Sequence, residues 1–122
     1  MTSHSMYKEH ILDLYKNPRN FGELANPTNS HHGNNPLCGD EITIQLIIKD
    51  DKIVDVKFKG VGCAISIASA SLLTDHIKNM NVETIKNLTK DDILDLMHIP
   101  ISPIRLKCAL LSLETLHKSI EK

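Results

Sequence analysis

Tryptophan is absent, and aromatic residues make up only 3% of the 122 residues. A core built from this sequence has to be aliphatic. No sign of charge dominates either, since 14 Lys and Arg against 15 Asp and Glu leave a formal net charge of −1. That balance argues against a nucleic-acid binder, which ordinarily carries a basic face. No run of roughly 18 apolar residues occurs, so no segment reads as a membrane span. No charged start followed by a short apolar stretch reads as a secretory signal, and the expected location is cytoplasmic. Internal repeats, low-complexity tracts and linkers are lacking, and the length suits one domain, residues 1–122. Met1 to Ser5 is polar and patternless and is expected to be frayed. No Ser-His-Asp pattern, phosphate-binding glycine loop or His-x-Glu with Cys-x-x-Cys pairing occurs, which counts against a stand-alone hydrolytic enzyme.

Cysteine is scarce as well. Three residues, widely spaced and odd in number, do not make a disulfide framework. An isolated cysteine is often just a small buried hydrophobe. The surroundings of these three say more. Cys38 belongs to Asn35-Pro36-Leu37-Cys38-Gly39-Asp40, a turn that puts a thiol and a carboxylate two residues apart. Cys63 follows Gly60-Val61-Gly62, and Cys108 lies between Lys107 and Ala109, three residues after Arg105.

The periodicity explains how they could meet. Glu41 to Ile48 alternates as a strand, with Ile42, Ile44, Leu46 and Ile48 on the buried face. Lys49-Asp50-Asp51-Lys52 is a polar turn. Ile53 to Lys59 returns with Val54, Val56 and Phe58 on one face, which completes an antiparallel hairpin. Its open end holds both Cys38-Gly39-Asp40 and Gly60-Val61-Gly62-Cys63. From Ala64 to Met80 the period becomes helical, and a small-residue start places Cys63 near a helix N-terminus, where the dipole lowers a thiol pKa.

The rest of the chain reads as helices and connections. A helix is expected from Met6 to Lys16 with Tyr7, Ile11, Leu14 and Tyr15 inward, ended by Asn17-Pro18. Phe21 to Asn35 reads as loop, with a weak strand signal at Gly22 to Ala25 and solvated histidines at His31 and His32, whose nearness in sequence to Cys38 leaves an accessory metal role open. His76 is expected on a helix flank. Val82 to Leu88 makes a helical turn or two. Thr89 opens a short helix to Met97 through a capping box with Asp92. Ser102 and Pro103 read as N-cap and first residue of the last helix, whose inward stripe is Ile104, Cys108, Leu111, Thr115 or Leu116, and Ile120. Arg105 and Lys107 are positive neighbours that favour a thiolate at Cys108.

Thiolates are soft ligands that select zinc, copper(I) or iron–sulfur units. Three of them with Asp40 make a four-ligand set. A structural zinc site more often takes a fourth Cys or His, and a carboxylate on iron is more readily displaced. Glycines 39, 60 and 62 are expected to leave room for inorganic sulfide.

On four ordered motifs the chain resembles the iron–sulfur cluster scaffold proteins of the IscU, SufU and NifU N-terminal type. They are Leu14-Tyr15-Lys16-Asn17-Pro18-Arg19-Asn20, Cys38-Gly39-Asp40, Gly62-Cys63-Ala64-Ile65-Ser66 with Ala68-Ser69-Ala70-Ser71, and Arg105-Leu106-Lys107-Cys108. The resemblance runs from about Tyr7 to Glu121. It implies an α+β fold, with a small antiparallel sheet of about three strands packed against helices. It implies a scaffold or carrier that accepts persulfide sulfur from a cysteine desulfurase, binds iron and passes a [2Fe–2S] cluster to client apoproteins. Cys38, Cys63 and Cys108 would be the ligands and Asp40 the labilising fourth. Cys108 would be the first persulfide acceptor, with Cys38 the alternative. Three thiolates leave a cluster incompletely held, so two chains are expected to share one.

Two departures qualify the resemblance. Lys107 stands where the IscU branch has His, as in the SufU branch, but the insertion usual in SufU proteins is missing. Ile101-Ser102-Pro103-Ile104-Arg105 lacks one proline of the motif read by an Hsp70-type chaperone, so that partner is not carried over. Two rivals use the same residues: a zinc-dependent sulfur-transfer partner of a desulfurase, and a plain zinc-stabilised binding domain.

Overall fold

The computed structural model describes residues 3–36 and 38–121, with side chains from Glu9 onward. The element order is α1 (Ser3–Lys16), β1 (Asn29–Asn35), β2 (Asp40–Lys49), β3 (Lys52–Val61), α2 (Ala64–His76), α3 (Val82–Lys86), α4 (Lys90–Met97) and α5 (Pro103–Ser119). The strands form one antiparallel sheet in the order β1-β2-β3, with α2 and α5 packed on it and α1 and α4 packed on α2. This is the expected α+β class. Among the described residues no helix is long and apolar enough to cross a membrane.

Helix α1 begins at Ser3, earlier than the polar sequence suggested. Ile11 and Leu14 are buried as expected, Tyr15 is half-exposed, and the Tyr7 side chain lies outside the described residues. The core is aliphatic apart from Phe58, which meets the ring of Phe21 edge-on at 5.3 Å.

The hairpin turns at Asp50 and Asp51, both with positive φ (52° and 62°), the tight turn whose twist matches the strands. Its register shifts between Ile47 and Ile48, with Ile47 opposite Asp55 and Ile48 opposite Ile53. Val54 is the extra residue of that bulge, so it faces solvent and Ile53 takes its place in the core.

The third strand is not at Gly22 to Ala25 but at Asn29–Asn35, Asn-Ser-His-His-Gly-Asn-Asn, which has no apolar residue. Its backbone pairs with β2 along its whole length, and its inward face packs on α5. Gly33 permits that approach, because a Cβ there would lie 2.2 Å from Thr115 Oγ1. The Asn29 amide donates to the Ser119 carbonyl at 2.8 Å. His31 and His32 are therefore strand residues. His32 lies across from Thr43, with its ring nitrogens 2.7 Å from Thr43 Oγ1 and 3.2 Å from Glu41 Oε1.

Helix α2 is buried almost all round, as an apolar helix wedged between neighbours should be. It stops at His76 rather than Met80, because the next turn bonds to β3: Asn79 N–H donates to the Ile53 carbonyl, and Ile53 N–H to the Met80 carbonyl. His76 is exposed at its last turn. The Thr89/Asp92 capping box is present, as are the Ser102 N-cap and Pro103 at the start of α5. Ile104 is the exception in α5: it is 82% exposed, while Cys108, Leu111, Thr115, Leu116 and Ile120 are inward.

Candidate metal centre

The open end of the hairpin carries the site. Glu41 pairs with Val61, so the start of β2 and the end of β3 lie side by side. Asn35 carbonyl accepts from Cys38 N–H at 3.2 Å and from Gly39 N–H at 2.9 Å, which closes the turn into β2. Gly39 has φ +74°, a left-handed conformation that favours glycine. This turn leaves Cys38 exposed and delivers Asp40 to the interior.

Asp40 is 1% exposed and organises the ends of two other elements. Its Oδ1 accepts from the N–H of Cys63, the N-cap of α2, at 3.0 Å. Its Oδ2 accepts from Ser66 Oγ at 2.8 Å. Ser66 Oγ lies also 3.2 Å from the Cys108 carbonyl, so one hydroxyl proton faces two acceptors. The Cys63 thiol donates to Ser66 Oγ at 3.8 Å. Further along the same seam, Ser69 Oγ donates to the Ala109 carbonyl at 2.6 Å and meets Ser112 Oγ at 3.1 Å. These small polar side chains hold α2 against α5 and set Cys108 beside Asp40.

Cys108 is fully buried, and its Sγ lies 3.4 Å from Cys38 Sγ. Cys38, Asp40 and Cys108 offer donor atoms that all lie within 4.8 Å of one another. Thiolates sharing a tetrahedral zinc ion sit about 3.8 Å apart, given bonds of about 2.3 Å. The three donors therefore fit one thiophilic ion after small adjustments. Cys63 stands outside this group of three. It shares Asp40 and Ser66 with them and lies near Cys108. His31 and His32 are not part of the group.

The expectation that positive neighbours make Cys108 a thiolate is overturned. Its thiol is pushed up to about 12, first by burial and then by its hydrogen bonds to Asp40 and Cys38 and the nearness of Cys63. Arg105 does reach the sulfurs. Its guanidinium is held above its ordinary value, first by a hydrogen bond to Cys108 and then by the proximity of Cys63. Lys107 is exposed and lines a groove with Cys38. Two of the three glycines serve packing rather than room for sulfide. A Cβ at Gly62 would lie 2.7 Å from Asp40 Oδ1, and one at Gly60 would lie 2.0 Å from the Glu41 carbonyl oxygen. Of these three, Gly39 alone faces open space.

Sequence reasoning gave Ser66 no part in the site. A serine three residues after a cysteine N-cap, on a turn that sequence pattern buries, was its available signal. Arg105 was read only as a neighbour, and Asn35 only as a turn residue.

Residues 6–122 match the model of the NifU-like N terminal domain. The chain belongs to that family. Among curated relatives it is 39% identical to the zinc-dependent sulfurtransferase SufU of Bacillus subtilis, covering 97% of this chain and 91% of that protein. It is 38% identical to the iron–sulfur cluster assembly scaffold protein IscU of Aquifex aeolicus, covering 94% of this chain and 74% of that protein. A crystal structure of a putative iron–sulfur cluster assembly scaffold protein for the SUF system, from Fervidobacterium islandicum, superposes with a TM-score of 0.80 at 33% identity, over 98% of this chain and all of that one. The alignment with the Bacillus protein spans 135 positions, more than the 122 residues here, so that relative carries inserted residues this chain lacks. Within the family, the chain is thus similar to members named for two different activities.

Proposed function

We propose that this chain is a carrier that receives sulfur from a cysteine desulfurase, combines it with iron as a [2Fe–2S] cluster and yields the cluster to client apoproteins. The observation that carries this reading is the convergence of Cys38 and Cys108 on one buried carboxylate. Cys38, Cys63 and Cys108 are the cluster ligands, and Asp40 is the displaceable donor. Soft thiolates hold iron and zinc strongly, whereas a carboxylate already engaged by Cys63 and Ser66 can return to those partners when cargo leaves. Exposure favours Cys38 as first persulfide acceptor, ahead of Cys108, because the nucleophile is the thiolate and must be reached by a second protein.

A second reading has its own support. Cys38, Asp40 and Cys108 span the donor spacing of a single ion, and the similarity to the Bacillus sulfurtransferase extends over nearly all of the chain. In it, zinc rests on these residues and sulfur passes through Cys38 without a cluster.

Anaerobic reconstitution with iron, cysteine and a desulfurase separates the two. Charge-transfer absorption with near-equal iron and sulfide is the scaffold's result. A colourless protein that keeps zinc and accelerates desulfurase turnover is the sulfurtransferase's result.

A further inference from the structure

Asn35 is the last residue of β1 and stands opposite Asp40 in the register. Both are buried polar residues, at 7% and 1% exposure. Their fates differ. Asp40 has a donor on each oxygen, whereas Asn35 Nδ2 is buried with no hydrogen-bond partner among the described residues. Such a group forfeits a full desolvation penalty, and native structures keep few of them. The residue lines a groove of about 310 Å³ with Cys38, Pro103, Ile104 and Lys107. The residues that line the groove therefore carry an unused amide donor just beneath its surface, an ammonium group and an exposed thiol. That set suits an anionic acceptor carried by the thiol itself.

We infer that this groove is a subsite for the terminal sulfur of a persulfide on Cys38, with the Asn35 side-chain amide as its hydrogen-bond donor and Lys107 as its counter-charge. The inference rests on the sulfur-accepting role proposed above. Addition of one sulfur extends the Cys38 side chain by an S–S bond of about 2 Å, enough to bring a new acceptor atom into the groove. In the transfer, the Cys38 thiolate attacks the outer sulfur of a donor persulfide, R–S–SH. The donor S–S bond breaks, and its electron pair leaves on the inner sulfur as R–S⁻. The new persulfide, more acidic than a thiol, gives its proton to that thiolate, leaving Cys38–S–S⁻ and R–SH. No external oxidant or reductant is consumed. A charge-assisted hydrogen bond from Asn35 then holds the anionic sulfur, about twice as strongly as a neutral one would. Asn35 is thus a positioning residue.

The test loads the full chain, as purified and with its metal content measured, from a cysteine desulfurase and separately from cysteine persulfide. The one-sulfur mass increment on the Cys38 peptide is followed as a reducing thiol removes it. Asn35→Asp keeps the size and removes the donor. Asn35→Leu removes the unpaired polar group and should raise the melting temperature of the unloaded protein by a few degrees. Both variants are expected to lose the Cys38 persulfide about tenfold faster than wild type, the worth of one hydrogen bond to a charged group. If Asn35→Asp fails to fold, the Leu variant carries the test, since a better-folded protein with a shorter-lived persulfide has no packing explanation. Persulfide lifetimes within twofold of wild type in a folded variant overturn the inference and leave the sulfur-accepting reading intact. Sulfur found on Cys108 and never on Cys38 overturns the inference alone, and a wild-type protein that takes no sulfur on any cysteine from either donor overturns both.

Discussion

Cys108 Sγ and Cys38 Sγ lie 3.4 Å apart although seventy residues separate them in the sequence. One is buried in a helix and the other is exposed on a turn. Their contact needs only a small closure to become a bond, whereas the Cys63 thiol faces Ser66. Mild oxidation of the metal-free protein should therefore link Cys38 to Cys108 and leave Cys63 open to alkylation. Peptide mapping reads this directly, and a dominant bridge containing Cys63 would contradict the arrangement.

Asp40 joins two roles that substitution can separate. Asp40→Ala leaves Cys63 N–H and Ser66 Oγ without their acceptor and should destabilise the apoprotein by about 2 kcal/mol in urea denaturation. Asp40→Asn keeps an acceptor oxygen for Cys63 N–H, and its amide can donate to Ser66 Oγ, so the loss should be smaller. Both lack the anionic, displaceable donor. A reconstituted cluster should leave either variant more slowly than wild type when an apo-ferredoxin is offered. Transfer as fast as wild type from Asp40→Asn would remove Asp40 from the release step.

The raised Cys108 thiol fixes a pH dependence. In the folded metal-free protein it titrates near 12, against an ordinary value of 9.0. The native state thus retains a proton that the unfolded chain releases, and stability present below about pH 9 is lost as pH rises towards 12. Cys108→Ala should flatten that descent in urea titrations at successive pH values. Bound metal should flatten it too, since a metal-held sulfur has no proton to lose.

The fold and the site were legible where side chains decide the structure. Ile42, Ile44 and Leu46 alternate visibly, and a hairpin with its turn at Asp50-Asp51 must bring Asp40 and Gly62 together. Ser102-Pro103 and Thr89 with Asp92 cap helices by local chemistry. Asn29–Asn35 was illegible because its strand character comes from the backbone of β2 and the flank of α5, not from its own side chains. The bulge at Val54 defeated strict alternation, and Ile104 stays exposed at the start of α5 despite its place on the helical stripe. Ser66 looked like one small residue among several, and its role exists only once Asp40 and α5 arrive from elsewhere.

Three thiols offer fewer soft donors than a [2Fe–2S] cluster's four cysteine positions. If Asp40 does not complete the set, a second chain must. The exposed position of Cys38 allows a cluster to face a partner, whereas Cys108 is buried. A cluster-loaded sample should run as a dimer by light scattering and return to monomer when the cluster is chelated. A loaded monomer would instead make Asp40 the fourth ligand.

Gly62 gives the sharpest test of how the carboxylate is held. A methyl group there would sit 2.7 Å from Asp40 Oδ1 and 3.1 Å from its Cγ. Those atoms are the end of a short, buried side chain fixed by Cys63 N–H and Ser66. Gly62→Ala should therefore displace the carboxylate rather than the backbone of β3. The apoprotein should lose about 1–3 kcal/mol as those hydrogen bonds lengthen. Zinc affinity should fall at least tenfold, since second contacts that orient a ligand carry about that much. Competition with a chromogenic chelator measures the affinity, and urea denaturation the stability. Unchanged zinc binding in a destabilised Gly62→Ala protein would mean that Asp40 supports the fold and takes no part in holding the ion.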